Sequence, residues 1–262
     1  MTRSEVNSSA ASQPSVSPDS QQVNLRAPHG VVPKSVLESL FGCQVVVVQA
    51  APQLVDPYLY ADECAYVARA LPKRRAEFGT ARVCARQALR ELGISPRSLV
   101  PDPDRAPRWP VDTVGSISHT EGYCAVVVAL ASQASGLGLD VEHDGALQRE
   151  LERLICTERE RRWLDRWAGD RRGRMAKLIF SAKEAFYKCQ YRTTRSFLDF
   201  AEVDLDVDLA AETFRARVHR EGAAWRFVEQ AQGRLLWTAN LVITSATLEP
   251  CEQHIAGDSS DP

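Results

Sequence analysis

Two segments of about twenty residues, Pro72 to Leu92 and Arg171 to Tyr191, read as long helices, each set among short runs rich in β-branched residues. That order constrains the fold more than any other feature, because each long helix must cover the face of a small sheet to bury its apolar side. Gly93 supplies the stop for the first helix. Gln44 to Gln49, with its four consecutive valines, reads as a buried strand, followed by Val114 to His119, Tyr123 to Ala131 and Gly136 to Glu142. Pro96 to Pro110 is a proline-rich connection. The second half opens with shorter helices over Leu147 to Leu154 and Thr157 to Trp167, where Thr157 is an N-cap and Glu160 completes a capping box. Strands are expected over Ala201 to Val207, Phe214 to His219, Trp225 to Glu229 and Leu235 to Thr244. The fold class is α/β (α+β), built as two similar lobes, although no residue-level repeat accompanies the matching element order.

The 262 residues are 44% apolar, enough to bury a substantial core. Met1 to Asn24 and Gly257 to Pro262 are too polar to pack, which divides the chain into a disordered tail 1–29, lobes 30–139 and 140–250, and a flexible tail 251–262. A net charge of -2 lacks the basic excess of a nucleic-acid binder, so no nucleic acid partner is expected. No apolar run reaches signal-peptide or membrane length, which points to a soluble, cytoplasmic protein with no membrane contact. Seven cysteines with no Cys-x-x-Cys pair suggest reduced thiols rather than disulfides or a zinc site.

The chemistry concentrates in two places. In Phe180-Ser181-Ala182-Lys183-Glu184-Ala185-Phe186-Tyr187-Lys188, Glu184 and Lys188 are one helical turn apart and project together, while Lys183 sits roughly a quarter turn away. Asp140 and Glu142 alternate onto one face of a strand, where adjacent carboxylates repel unless a cation lies between them. Three carboxylates from two elements suit a hard cation such as Mg²⁺, and the lysines suit phosphate oxygens. The bland counterpart is an i,i+4 ion pair beside a solvated strand face. Gly136-x-Gly138 lacks the third glycine of a dinucleotide loop and instead permits close backbone approach. His119 ends the strand Gly115-Ser116-Ile117-Ser118, placed either to donate to a phosphate or to make a structural hydrogen bond. On the first long helix Arg75, Arg82 and Arg86 share a face, flanked by Arg74, as a stripe for phosphates or a solvated face. Between 149 and 174 nine arginines outnumber six acids, a surface suited to an acidic protein partner or merely to water.

These residues resemble the 4'-phosphopantetheinyl transferases of the surfactin and enterobactin synthetase type, and the likeness covers most of the body. Gly138-Leu139-Asp140-Val141-Glu142 is similar to the family's Gly-x-Asp-x-Glu signature, and Phe180 to Lys188 to its Phe-Ser-x-Lys-Glu-Ala-x-x-Lys signature. Lys73-Arg74-Arg75-Ala76-Glu77-Phe78 with Arg82 and Arg86, Trp109-Pro110, and Gly115 to His119 look like its coenzyme A segments. The resemblance implies two pseudo-twofold-related lobes with the ligand site in the cleft between them, and a monomer. It implies transfer of the 4'-phosphopantetheine arm of coenzyme A to a serine of an apo acyl or peptidyl carrier protein, releasing adenosine 3',5'-bisphosphate. Asp140, Glu142 and Glu184 would hold Mg²⁺, and Glu184, or a water it orients, would take the serine proton. Lys188 would bind the pyrophosphate, with Lys183 a weaker candidate, and Arg74, Arg82, Ser118 and His119 would take the coenzyme A nucleotide. Many members carry a lysine before Trp109-Pro110; here Arg105 or Arg108 stands in that stretch. Residue chemistry alone leaves open another Mg-dependent phosphodiesterase or nuclease, and a non-catalytic coenzyme A or carrier-binding module.

Overall fold

The valine run enters β1 (Val46–Ala50), after a short helix α1 (Lys34–Glu38), in a computed structural model that describes residues 23–250. Helices α2 (Ala61–Val67) and α3 (Pro72–Glu91) follow, then β2 (Thr113–Thr120) and β3 (Tyr123–Leu130). These strands form an antiparallel sheet in the order β1-β3-β2. The central strand β3 is apolar on both faces because both are covered. Val126 and Val128 pack on Cys84, Ala85, Ala88 and Leu89 of α3. Ala125, Val127 and Ala129 face a core shared with the second sheet.

That second sheet begins with β4 (Gly136–His143) and passes through helices α4 (Arg149–Ile155), α5 (Glu158–Leu164) and α6 (Gly169–Thr194). It continues with β5 (Val203–Asp208), β6 (Thr213–Val218), helix α7 (Ala223–Val228), β7 (Gln232–Trp237) and β8 (Leu241–Leu248), in the antiparallel order β4-β8-β7-β6-β5. Leu178, Ala182, Ala185, Phe186 and Cys189 of α6 pack on this sheet. Each lobe is thus a sheet on a long helix. The lobes meet where β2 and β4, edge strands of their sheets, lie side by side. Ser116 Oγ accepts from Leu139 N (3.0 Å) and Ser118 Oγ from Val141 N (3.1 Å), so two hydroxyls cap an edge that would otherwise leave buried amides unpaired.

Glycine decides how closely α6 lies on β4. A Cβ on Gly138 would stand 1.7 Å from Ala185 O, and one on Gly136 would stand 2.4 Å from Cys189 O. The close approach expected of Gly136-x-Gly138 is therefore real, and it brings Asp140 under Glu184 and Lys188. The capping box on α5 also forms, with Thr157 N donating to Glu160 Oε2 at 2.8 Å.

Three expectations are corrected. Trp225 to Glu229 is helical rather than a strand, because Gly222 at φ 129° opens a turn into Ala223-Ala224 and only Val228 is buried. Leu235 to Thr244 is a hairpin, not one strand: Thr238 N donates to Leu241 O, and Thr238 Oγ1 accepts from Leu241 N, a turn made without glycine or proline. The tail 1–29 is packed at its end, since Arg26 O accepts from Ala51 N (2.8 Å), Leu25 joins the first-lobe core and Pro28 is buried. Residues 1–22 and 251–262 of the expected tails lie outside the described residues. The expected lobe boundary at 139/140 falls inside β4, whose pairing with β8 starts at Gly136. Among the described residues no helix is long and apolar enough to cross a membrane.

Candidate active site

A cleft of about 520 Å³ lies between the lobes. From the first lobe it receives Arg74, Glu77, Phe78 and Arg82, one face of α3, with Gly115, Ile117 and His119 of β2. From the second it receives Glu184, Tyr187, Lys188 and Tyr191, one face of α6. The connection at Pro101 and Asp104 to Pro107 forms its wall, and Tyr191 Oη donates to Asp104 Oδ2 at 2.6 Å across the gap.

At one end, Arg82 is 5% exposed and stacks its guanidinium 4.0 Å over Phe78. Its Nε donates to Leu99 O at 2.6 Å, and it forms no ion pair among the described residues. Burial lowers its pKa to about 10, so it stays charged at neutral pH and is an uncompensated cation in want of an anion. Arg74 Nη1 lies 3.2 Å from His119 Nε2; arginine can only donate, so Nε2 accepts. Burial holds His119 below its ordinary pKa, Arg74 and Lys188 push the same way, and Glu77 and Asp140 oppose.

At the other end, Lys188 Nζ donates to Asp140 Oδ1 (2.7 Å) and Leu139 O (3.0 Å). Ser118 Oγ donates to the same Oδ1 at 3.0 Å, while Asp140 Oδ2 is buried with no partner among the described residues. Lys177 Nζ holds Glu142 at 3.1 Å. Burial raises the Glu184 carboxyl, Lys188 lowers it, and Asp140 and Glu142 raise it further. Beyond Glu184 and Tyr187, which it shares with the cleft, an apolar recess of about 270 Å³ is lined by Phe197, Leu198, Phe200 and Val203.

The structure thus brings Arg74, Arg82, His119, Glu184 and Lys188 to one cleft, with Asp140 beneath Lys188. It does not bring the rest. Lys183 is 1% exposed, its Nζ bound to Glu160 (2.7 Å), Ile155 O and Phe200 O, so its ammonium anchors α6 at the wall of the apolar recess and lies outside the cleft. Ser118 faces Asp140 and not the cleft. The arginine stripe dissolves into separate partners: Arg86 with buried Glu63 (2.8 Å) and Arg75 with Asp56 (2.7 Å) leave only Arg82 of the three for the cleft. Asp140, Glu142 and Glu184 are not drawn into a cluster; among the described residues no group of three His, Cys, Asp or Glu side chains is placed to hold a metal. Of the two arginines offered for the missing lysine, Arg105 lines the cleft, whereas Arg108 turns to Asp102 at 2.6 Å. Among the arginines of 149–174, Arg159, Arg172 and Arg174 are tied to Asp206, Glu152 and Asp144. Sequence reasoning gave no role to Glu77, Phe78 and Tyr187, quoted only inside their motifs, and missed Tyr191, although i,i+3 spacing from Arg74, Glu184 and Lys188 marks Glu77, Tyr187 and Tyr191, and i,i+4 spacing from Arg74 marks Phe78.

Comparison with known proteins fits this geometry. Residues 62–129 match the 4'-phosphopantetheinyl transferase N-terminal domain, and residues 136–245 match the 4'-phosphopantetheinyl transferase superfamily. The chain is 41% identical over 198 residues to 4'-phosphopantetheinyl transferase Svp of Streptomyces mobaraensis, covering 74% of this chain and 80% of that one. It is 30% identical over 231 residues to 4'-phosphopantetheinyl transferase PptT of Mycobacterium tuberculosis, covering 83% and 96%. Enterobactin synthase component D of Escherichia coli K12 is 33% identical over 131 residues, covering 49% and 61%. Fold and cleft therefore define a transferase that moves phosphopantetheine onto carrier proteins. The chain belongs to the 4'-phosphopantetheinyl transferase superfamily, in its enterobactin and surfactin synthetase type.

Proposed function

We propose that the enzyme takes coenzyme A as donor and transfers its 4'-phosphopantetheine to a serine hydroxyl of an apo carrier protein, releasing adenosine 3',5'-bisphosphate with Mg²⁺ as cofactor. The observation that carries the reading is one cleft with an uncompensated buried guanidinium at one end and Glu184 with Lys188 at the other. Arg82, Arg74 and His119 take the 3'-phosphate end of the nucleotide, and Arg105 faces the same space. Lys188 meets the pyrophosphate. The apolar recess beyond Glu184 takes the pantetheine arm, with Tyr187 between arm and nucleotide.

The orphaned Asp140 Oδ2 and the all-oxygen donor set of Asp140, Glu142 and Glu184 fit a hard divalent cation. Lys188 holds Asp140 by Oδ1 and Lys177 holds Glu142 by Oε2, so each ammonium engages one oxygen of its carboxylate. Bound there, Mg²⁺ would neutralise charge on the pyrophosphate as its bond breaks. The protein's own contribution is separable. Glu184, at the junction of cleft and recess, accepts the serine proton; the serine oxygen forms its bond to the β-phosphorus; and the bond to the adenosine-side phosphate oxygen breaks. The cytoplasm, a monomeric state, and partners limited to coenzyme A and carrier proteins, without membrane or nucleic acid, complete the proposal.

Intact-mass measurement tests it: an apo carrier should gain one phosphopantetheine when enzyme, coenzyme A and Mg²⁺ are present. A carrier with its serine changed to alanine should gain nothing. Equal labelling of both carriers would overturn the assignment of the acceptor.

A further inference from the structure

We infer that Glu63, outside the cleft, is a positioning residue for the 3'-phosphate end of the nucleotide site, acting through Leu99 on Arg82. The inference rests on the coenzyme A reading above. Glu63 lies on α2 and is 0% exposed, so its charge must be matched inside the protein. Its Oε1 accepts from Arg86 Nη1 (2.9 Å) and Leu99 N (3.0 Å), and its Oε2 from Arg86 Nη1 (2.8 Å) and Tyr60 N (3.1 Å). One carboxylate therefore gathers the start of α2, the middle of α3 and the proline-rich connection.

Leu99 is the pivot. Its amide is held by Glu63, and its carbonyl accepts Arg82 Nε at 2.6 Å. A guanidinium is planar, so fixing Nε while the plane stacks on Phe78 also fixes where Nη1 and Nη2 point. Among the described residues neither terminal nitrogen has a protein hydrogen bond, and Arg82 lines the cleft. Selection of a phosphate by two such donors depends on their direction, and direction here is set from Leu99. If Leu99 drifts, Arg82 keeps its charge and loses its aim. The consequence is specific to substrates that carry a 3'-phosphate.

Initial-rate kinetics with coenzyme A and with dephospho-coenzyme A test this on Arg82→Ala, Glu63→Gln and Glu63→Gln/Arg82→Ala. A charge-neutral Glu63→Gln/Arg86→Met pair avoids stranding a buried cation. Arg82→Ala and Glu63→Gln should each raise KM for coenzyme A about tenfold with kcat within about twofold, and should leave dephospho-coenzyme A unchanged. The Glu63→Gln/Arg82→Ala enzyme should be no worse than Arg82→Ala, because both act on one contact. The charge-neutral pair should show the same selective rise. Equal changes for both substrates, additive effects in Glu63→Gln/Arg82→Ala, or loss of folding in both Glu63→Gln and Glu63→Gln/Arg86→Met would reduce Glu63 to a structural residue. Should Arg82→Ala itself leave discrimination unchanged, the coenzyme A reading fails instead.

Discussion

Replacing Gly138 by alanine tests how the fold builds the site. The added Cβ would sit 1.7 Å from Ala185 O and 2.7 Å from Ala185 C, both backbone atoms of α6 that cannot swing aside. Ordinary van der Waals contact needs about 3.4 Å, so α6 must retreat by roughly 1.7 Å over this turn. Overpacking a close contact costs about 1–3 kcal/mol, and the rigid neighbour places this substitution at or above the upper figure. For a protein of this size, about 3 kcal/mol lowers Tm by roughly 6–12 °C. Gly136→Ala, with its clash at 2.4 Å from Cys189 O, should cost less. Gly145→Ala, which meets nothing within 4 Å, should be neutral to about 0.5 kcal/mol. The retreat also moves Glu184 and Lys188 away from Asp140, and a displacement of that order costs about 100-fold in rate. Differential scanning fluorimetry and transfer kinetics on the three variants read both effects. If Gly138→Ala melts within about 2 °C of Gly145→Ala, the claim that glycine sets the β4–α6 spacing is wrong.

Lys183→Met should lower stability by about 3–5 kcal/mol, because it strands buried Glu160, yet leave KM for coenzyme A unchanged in the folded fraction; a stable variant with raised KM would return Lys183 to the binding site. His119, held below its usual pKa by burial, is protonated more readily in the unfolded chain, so its contribution is full above about pH 6.5 and is lost as pH falls below it. His119→Asn should therefore flatten the loss of Tm as pH falls below about 6.5, and an unchanged slope would contradict this. Tyr191→Phe removes the Asp104 contact across the cleft and should raise KM for coenzyme A by about three- to tenfold; identical binding isotherms for both proteins would show that the contact is idle.

What was legible in the sequence was whatever short-range pattern carries. The long helices, the capping box at Thr157, the valine strand and the close approach at Gly136 and Gly138 all follow from residues near one another in the chain. The hairpin at Thr238 was missed because its turn uses a threonine hydroxyl, and α7 because Trp225 and Phe227, with Arg226 between them, mimic a strand alternation. In the site, spacing put Arg75, Arg82 and Arg86 on one helical face correctly but said nothing of Asp56 and Glu63, which arrive from elsewhere in the chain and claim two of them. Lys183 was misjudged for the same reason, since Glu160 reaches it from α5. Which charges are free is a tertiary property. Their number and spacing are not.

The most direct measurement pairs carrier mass with nucleotide release for the wild-type enzyme and for Glu184→Gln, each checked for an unchanged melting curve. The account predicts one adenosine 3',5'-bisphosphate released per holo carrier formed by the wild type, and a loss of about 100-fold or more in Glu184→Gln. Nucleotide released while the carrier stays unmodified, or a Glu184→Gln enzyme that transfers at the wild-type rate, would contradict it.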